Sequence, residues 1–229
     1  MSFREQLSGC AQADHVRRRL LGCSGLAIVW VLACIVPVAQ AAKPKPPTPK
    51  AVITAAIEIH NGVVGDMSKF AKQAQAAQGE CVTVQQSSEP QWQQVEFAGK
   101  AIELIEKDDL KPYNQRLPGW VAALGQVKAK GKKSRNEKQE ATSYLTDANH
   151  QHAQEFYEFG AIGASLQAHD CEGALTHLKK AAELGDAAGS AGPHAWGSEG
   201  LGLLAASKLL KITSPQPSET IQPYLHVGV

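Results

Sequence analysis

Aromatic residues are scarce in this chain, at 6% of 229 residues, and its formal net charge is only +1. A near-neutral balance excludes a strongly basic nucleic-acid binder, and a hydrophobic share of 43% excludes a disordered polymer. The 20 glycines and 12 prolines follow no triplet repeat, which excludes a collagen-like chain. No run alternates apolar and polar residues as a half-buried strand does, so a sheet is not expected. Cys-x-x-Cys-His is absent, removing covalent haem attachment, and so is the duplicated Glu-x-x-His pattern of di-iron bundles. The Leu-Thr-x-x-Gln signature of helical stress-response chaperones is missing as well. Five cysteines, an odd number, do not complete a disulfide framework.

What is present begins with an address. Arg17, Arg18 and Arg19 precede the apolar stretch from Leu20 to Val38, and Ala39-Gln40-Ala41 follows. Charged end, apolar core and small residues in that order make residues 1–41 a secretory signal peptide, cut near Ala41. The chain is therefore expected to be periplasmic or secreted. Three alternatives stay open. The apolar stretch is just long enough to remain as an inner-membrane anchor with the rest outside the cytoplasm. Val31-Leu32-Ala33-Cys34 resembles a lipobox, with Cys34 as the lipidated residue, and the arginines also resemble a twin-arginine signal. All four readings export the remainder of the chain.

Cleavage changes both charge and cysteine arithmetic. Arg4, Arg17, Arg18 and Arg19 leave with Glu5 and Asp14, so 23 basic and 22 acidic residues become 19 and 20, a balance of −1. Only Arg116 and Arg135 remain as arginines, and planar bidentate phosphate recognition favours arginine, so nucleic acid is not an expected partner. Cys10, Cys23 and Cys34 leave too, and the remaining pair, Cys81 and Cys171, reads as one disulfide in an oxidising compartment. Closing a loop of about 90 residues contributes up to about 4–5 kcal/mol in the chain-entropy model. A soft-metal site formed by the same cysteines with His169 and Asp170 is the competing reading.

Residues 42–50, rich in lysine and proline, are expected to form an extended linker, and residues 51–212 a helical domain followed by an irregular tail over 213–229. The first helix is expected from about Ala51 to Gln78, with Ile53, Ile57, His60, Val64, Met67, Ala71 and Ala74 as its seam. Ser88-Glu89-Pro90 predicts the start of a second helix, buried through Trp92, Val95, Ala98, Ile102 and Ile105 and ended by Lys111-Pro112. A short helix after Leu117-Pro118 uses Trp120, Val121, Leu124 and Val127. Ser134-Arg135-Asn136-Glu137 matches a capping box opening the longest helix, to about Gln167. Its seam is Ala141, Leu145, Ala148, His152, Phe156, Phe159, Ile162 and Leu166. Asp170 caps a helix running to Gly185, and a last helix spans about Ala195 to Leu210. The fold class is all-α, an antiparallel bundle of five to six helices.

From Asp170 to Ala187 the chain resembles the second helix of a Sel1-like repeat, a relative of the tetratricopeptide repeat. The leading Asp170, Ala174 and the Lys180-Ala181-Ala182-Glu183-Leu184-Gly185-Asp186 ending carry the resemblance, with Phe159-Gly160 near the place of that family's Leu-Gly. It extends over a hairpin at about 153–187. It departs from the pattern at His177, where an aromatic is usual, and no second repeat follows Asp186. The resemblance implies protein–protein contact and no catalysis.

Few residues invite chemistry. His60 and His152 lie on apolar seams and are alternative metal or haem ligands, although their positions along their helices let them face each other only if the helices are staggered. His150 and His152, two apart on a helix, point away from one another; His152 with Glu155 has usable i, i+3 spacing but supplies only two ligands. Ala188-Gly189-Ser190-Ala191-Gly192 approximates a nucleophile elbow without the preceding strand that a real elbow needs. Lys128, Lys130, Lys132, Lys133 and Arg135, with Lys138, form the one basic cluster, an expected contact surface for an acidic partner. The sequence thus implies no catalytic residue and no cofactor. It suggests a non-catalytic adaptor or scaffold binding another envelope or extracellular protein. Membrane contact would arise only through an uncleaved leader, lipidation or the basic loop. A metal- or haem-binding bundle is the alternative.

Overall fold

The computed structural model describes residues 46–185 and 194–218. The leader, the first part of the proline-rich segment, the Ser190 motif and the chain beyond 218 lie outside them. All regular structure within those residues is helical, as the periodicity predicts. The helices are α1 (Pro49–Gln85), α2 (Gln93–Ile105), α3 (Lys111–Asn114), α4 (Leu117–Gly125), α5 (Lys132–Gln167), α6 (Cys171–Gly185) and α7 (Ala195–Leu210). Together they form an all-α bundle. Helix α5 is central and packs on α2, α4, α6 and α7, while α1 lies against α2, α4, α6 and α7.

Helix α1 is longer at both ends than its seam suggests. Thr48 is the N-cap, its Oγ1 accepting from the Ala51 N–H (3.3 Å), and Pro49 takes the first helical position, where no N–H is needed. Pro49 and Lys50 are therefore helix rather than linker. At the far end the helix continues past Gln78 to Gln85, because Ala77 and Cys81 are both buried and extend the stripe by another turn. Of the expected seam, Ile53, Ile57, His60, Met67, Ala71 and Ala74 are buried, and Val64 is half-buried against the core.

The second helix starts three residues later than Pro90 implies, at Gln93, with Trp92 at the cap. Nor does Pro112 end it. A π turn over Glu106–Leu110 joins α2 to α3, with the Lys111 N–H bonded to Glu106 O five residues back. That wider turn takes the ladder past a residue with no N–H, and Pro112 becomes part of the first turn of α3. The consequence is that Tyr113 is buried.

Helix α5 begins at Lys132 after Gly131 (φ +88°), two residues ahead of Ser134, so the capping-box match does not form the cap. All eight of its expected seam residues are buried. At Gly99 and Gly163 helices α2 and α5 cross so closely that a Cβ on either would meet the other's carbonyl oxygen at 2.7 Å. Gly202 does the same for α7, where a Cβ would meet Leu145 Cγ of α5 at 2.8 Å. The first crossing seats α2 on α5; the second brings α7 against the same helix.

The connection from α5 to α6 is tight. His169 adopts a left-handed conformation (φ 60°), the Asp170 N–H returns to Ser165 O (2.9 Å), and Asp170 Oδ1 caps α6 through the Gly173 N–H (2.8 Å). Helix α6 then folds back along α5, with His177 Nδ1 2.6 Å from Glu158 Oε2. Cys81 of α1 and Cys171 at the start of α6 are joined by a disulfide, their Cα atoms 5.5 Å apart. The bond fastens the far end of α1 to the α5–α6 hairpin.

Candidate functional site: a buried histidine and glutamate network

Two histidines on separate helices meet at one carboxylate. His60 (α1), His152 and Glu155 (α5) and Glu199 (α7) have no exposed surface. His60 Nδ1 donates to Glu199 Oε1 (2.7 Å) and His152 Nε2 to Glu199 Oε2 (2.7 Å). His152 Nδ1 donates to Glu155 Oε2 (3.0 Å), one turn along the same helix, and Trp196 Nε1 to Glu155 Oε1 (2.9 Å). The Tyr113 hydroxyl donates to Glu199 Oε1 beside His60. The second nitrogen of His60 faces the carbonyl oxygen of Ser218 (3.2 Å).

Both nitrogens of His152 face carboxylate oxygens, so that ring bonds fully only as an imidazolium. The nitrogens of His60 face a carboxylate and a backbone carbonyl. An isolated buried ion would be far too costly, and this pairing is the arrangement that removes the penalty. Aromatic rings close around the centre. Trp196 meets His152 edge to face at 4.2 Å between centroids, Phe156 stacks at 5.1 Å, and Tyr113 lies at 6.0 Å.

The electrostatics agree with the geometry. Burial pulls His152 down, but the hydrogen bonds and charges of Glu155 and Glu199 overcome it and raise the ring from 6.5 to about 9. Burial pushes Glu199 up, yet the His60 charge and the bonds from both histidines hold it at about 2. Burial and the Glu199 charge together push Tyr113 well above its ordinary value, keeping it a donor.

The histidines singled out as alternative ligands thus fall into two settings. His60 and His152 do converge, because the helices are staggered and Glu199 spans the gap. Among the described residues no group of three or more His, Cys, Asp or Glu side chains is arranged to hold a metal ion, the four network members bonding directly to one another. His169 stands apart at the surface, its Nε2 2.7 Å from Glu96 Oε1 and its ring stacked on Trp92 at 4.2 Å. The soft-metal alternative for Cys81 and Cys171 is replaced by their disulfide. In the basic cluster Lys128, Lys130, Lys132, Lys133 and Arg135 are exposed. Lys138 is half-buried and pins the preceding loop, donating to Gly125 O and Val127 O at 2.9 Å each.

Glu199 and Tyr113 were not expected at the centre. A signal for Glu199 exists, since it is the sole charged residue between Ala195 and Ser207, an apolar helix in which a carboxylate needs a reason. Tyr113 had no such signal, because the proline before it read as a helix end.

No family model, no curated protein and no solved structure matches this chain.

Proposed function

We propose that this is an exported, disulfide-stapled helical protein that works by binding another extracytoplasmic protein and carries out no catalysis. The observation that carries the reading is a separation of roles. The reactive side chains at the centre are fully buried and bonded to one another, whereas a cluster of cations with one long ion pair stands at the surface. Helix α5 has no acidic residue in its first turn and places Lys132, Lys133 and Arg135 there or beside it. Cations at the positive end of a helix dipole oppose its stability by a few tenths of a kcal/mol each, so folding alone gives no reason for them. Glu137 is the nearest counter-charge, with Lys133 Nζ only 4.0 Å away. An acidic protein surface is the matching partner. Tyr157 of α5, 68% exposed, adds an aromatic of the kind that anchors interfaces.

Export is supported by the disulfide, which persists in oxidising compartments. It is also supported by the leader pattern of residues 1–41. Among the described residues no helix is long and apolar enough to cross a membrane. A photo-crosslinker at residue 130 or 157, in the protein exported by its own host, tests the reading. One reproducible adduct is expected, lost on K132E/K133E/R135E and weakened by salt. No adduct at either position, or one indifferent to those charge reversals, would count against it.

A further inference from the structure

Near its start, helix α5 carries an open groove of about 400 Å³, lined by Arg135, Lys138, Gln139, Thr142 and Ser143. Those positions fall at i, i+3, i+4, i+7 and i+8, the spacing of a single helical face. Lys132, seven residues before Gln139, belongs to the same face. From Arg135 to Ser143 the face runs about 12 Å, at about 1.5 Å per residue. An extended peptide covers that distance in about three to four residues.

The lining side chains divide into fixed and free. Lys138 Nζ donates to Gly125 O and Val127 O (2.9 Å each), which holds its aliphatic stem as a wall. The Thr142 hydroxyl donates to Lys138 O (2.8 Å) and is turned to the helix backbone. Arg135, Gln139 and Ser143 are exposed, and among the described residues none of the three has a hydrogen-bond or ion-pair partner. No acidic side chain lines the groove. Glu137 and Glu140, close in sequence, are turned about 200° and about 140° from Arg135 around the helix, and Glu137 has Lys133 beside it (4.0 Å). The groove therefore has a guanidinium at one end, two neutral polar groups towards the other, and walls that are largely carbon.

That arrangement selects among anionic ligands. The guanidinium is a planar fork of N–H donors that fits a carboxylate bidentately. Gln139 and Ser143 each donate and accept, as the alternating N–H and C=O groups of a peptide require. Carbon walls favour the methylenes of a side chain and offer a small hydrated anion nothing. A bilayer surface would meet the exposed tips of the cations and leave the groove unused. We propose that the groove seats an extended acidic segment of the partner protein, with one Asp or Glu carboxylate on Arg135 and the following backbone along Gln139 and Ser143. This site rests on the binding reading above and gives the partner's contact segment a chemistry and a direction along α5.

Fluorescence anisotropy tests it, using the whole protein as its own host makes it and a fluorescein-labelled peptide of alternating Glu and Ser. Saturable binding is expected at low ionic strength, and binding about tenfold weaker or worse when Gln replaces Glu in the peptide. Arg135→Gln is expected to weaken the Glu peptide about tenfold or more, and Gln139→Ala severalfold. Lys133→Gln removes an equal charge from the other side of the helix and is expected to change binding less than about twofold. Ser143→Trp alters no charge and fills the groove from an exposed position, so binding is expected to vanish while the melting temperature holds. Absence of saturable binding would overturn the proposal. So would binding that survives Ser143→Trp, or equal losses in Arg135→Gln and Lys133→Gln, either of which describes a diffuse cationic surface. Displacement by inorganic phosphate at the peptide's own concentration, or binding to phosphatidylglycerol vesicles without binding to the peptide, would overturn it in favour of a simple anion site or a membrane. The wider reading fails separately. A crosslinked adduct at residue 130 or 157 that persists in Ser143→Trp removes the groove and leaves the partner, whereas peptide binding lost in Ser143→Trp, with no adduct at either residue, supports the groove and counts against that partner.

Discussion

Two histidine–glutamate pairs in this protein have the same geometry and opposite standing. His152 lies 2.7 Å from Glu199 with neither side chain exposed, and His169 lies 2.7 Å from Glu96 with the two side chains 37% and 48% exposed. Water solvates the second pair whether or not the bond is made, so its formation changes little. Around the first pair there is no water to take over, and every lone pair and proton must be matched by protein. Distance alone does not rank interactions; what remains when one partner is removed does.

Replacing Glu199 tests the contrast most severely. Glu199→Leu leaves two buried histidines without the carboxylate they share, and a loss of about 3–5 kcal/mol is expected by denaturant titration. A loss under 1 kcal/mol would place the buried network on the same footing as the surface pair.

The pH dependence comes from the same network. The raised value of His152 contributes stability that is complete below 6.5 and is lost as pH climbs through about 9. The lowered value of Glu199 contributes stability that is complete above 4.5 and is lost as pH falls towards about 2. The melting temperature should therefore be highest between about 4.5 and 6.5 and fall on both sides. Glu199→Leu should flatten the acidic limb, and thermal melts across the range give the answer.

Elsewhere the bundle relies on covalent and steric devices. Converting Cys81 and Cys171 to serine should cost about 2–4 kcal/mol, which compares the staple at one end with the charges at the centre. Gly163→Ala forces a Cβ to 2.7 Å from Gly99 O, and a loss of about 1–3 kcal/mol is expected as α2 moves off α5. Smallest of all, Glu96→Gln should change stability by less than about 1 kcal/mol. A cost for Glu96→Gln matching that of Glu199→Leu would dissolve the comparison from the other side.

Several of these features were legible in the residues themselves. The seam of α5 is visible because apolar side chains recur every three to four positions, and that spacing is a local property of a helix. His60 and His152 could be seen on buried faces, and the i, i+3 relation of His152 to Glu155 was visible too. The pairing of Cys81 with Cys171 followed from the expectation that the other three cysteines belong to a leader. Helix ends were less legible, since Pro112 and Ser134 are breaking and capping residues whose effect depends on how the backbone around them bonds. A π turn absorbs the proline, and Gly131 starts α5 before the serine is reached.

The amino-acid sequence by itself determined the helical character of the described residues, most of the faces the long helices bury and the Cys81–Cys171 pair. Those follow from composition and from periodicities within a few turns. Tertiary structure alone decided that His60 and His152 share a carboxylate. They are brought together with Glu199 by helices whose contacts span 139 and 47 residues of chain. Side-chain partnership across such separations depends on the stagger and crossing of helices, and the close approach of α7 to α5 at Gly202 is one such crossing. No local pattern encodes that stagger, and so the histidine–glutamate centre of this protein appears only once the helices are packed.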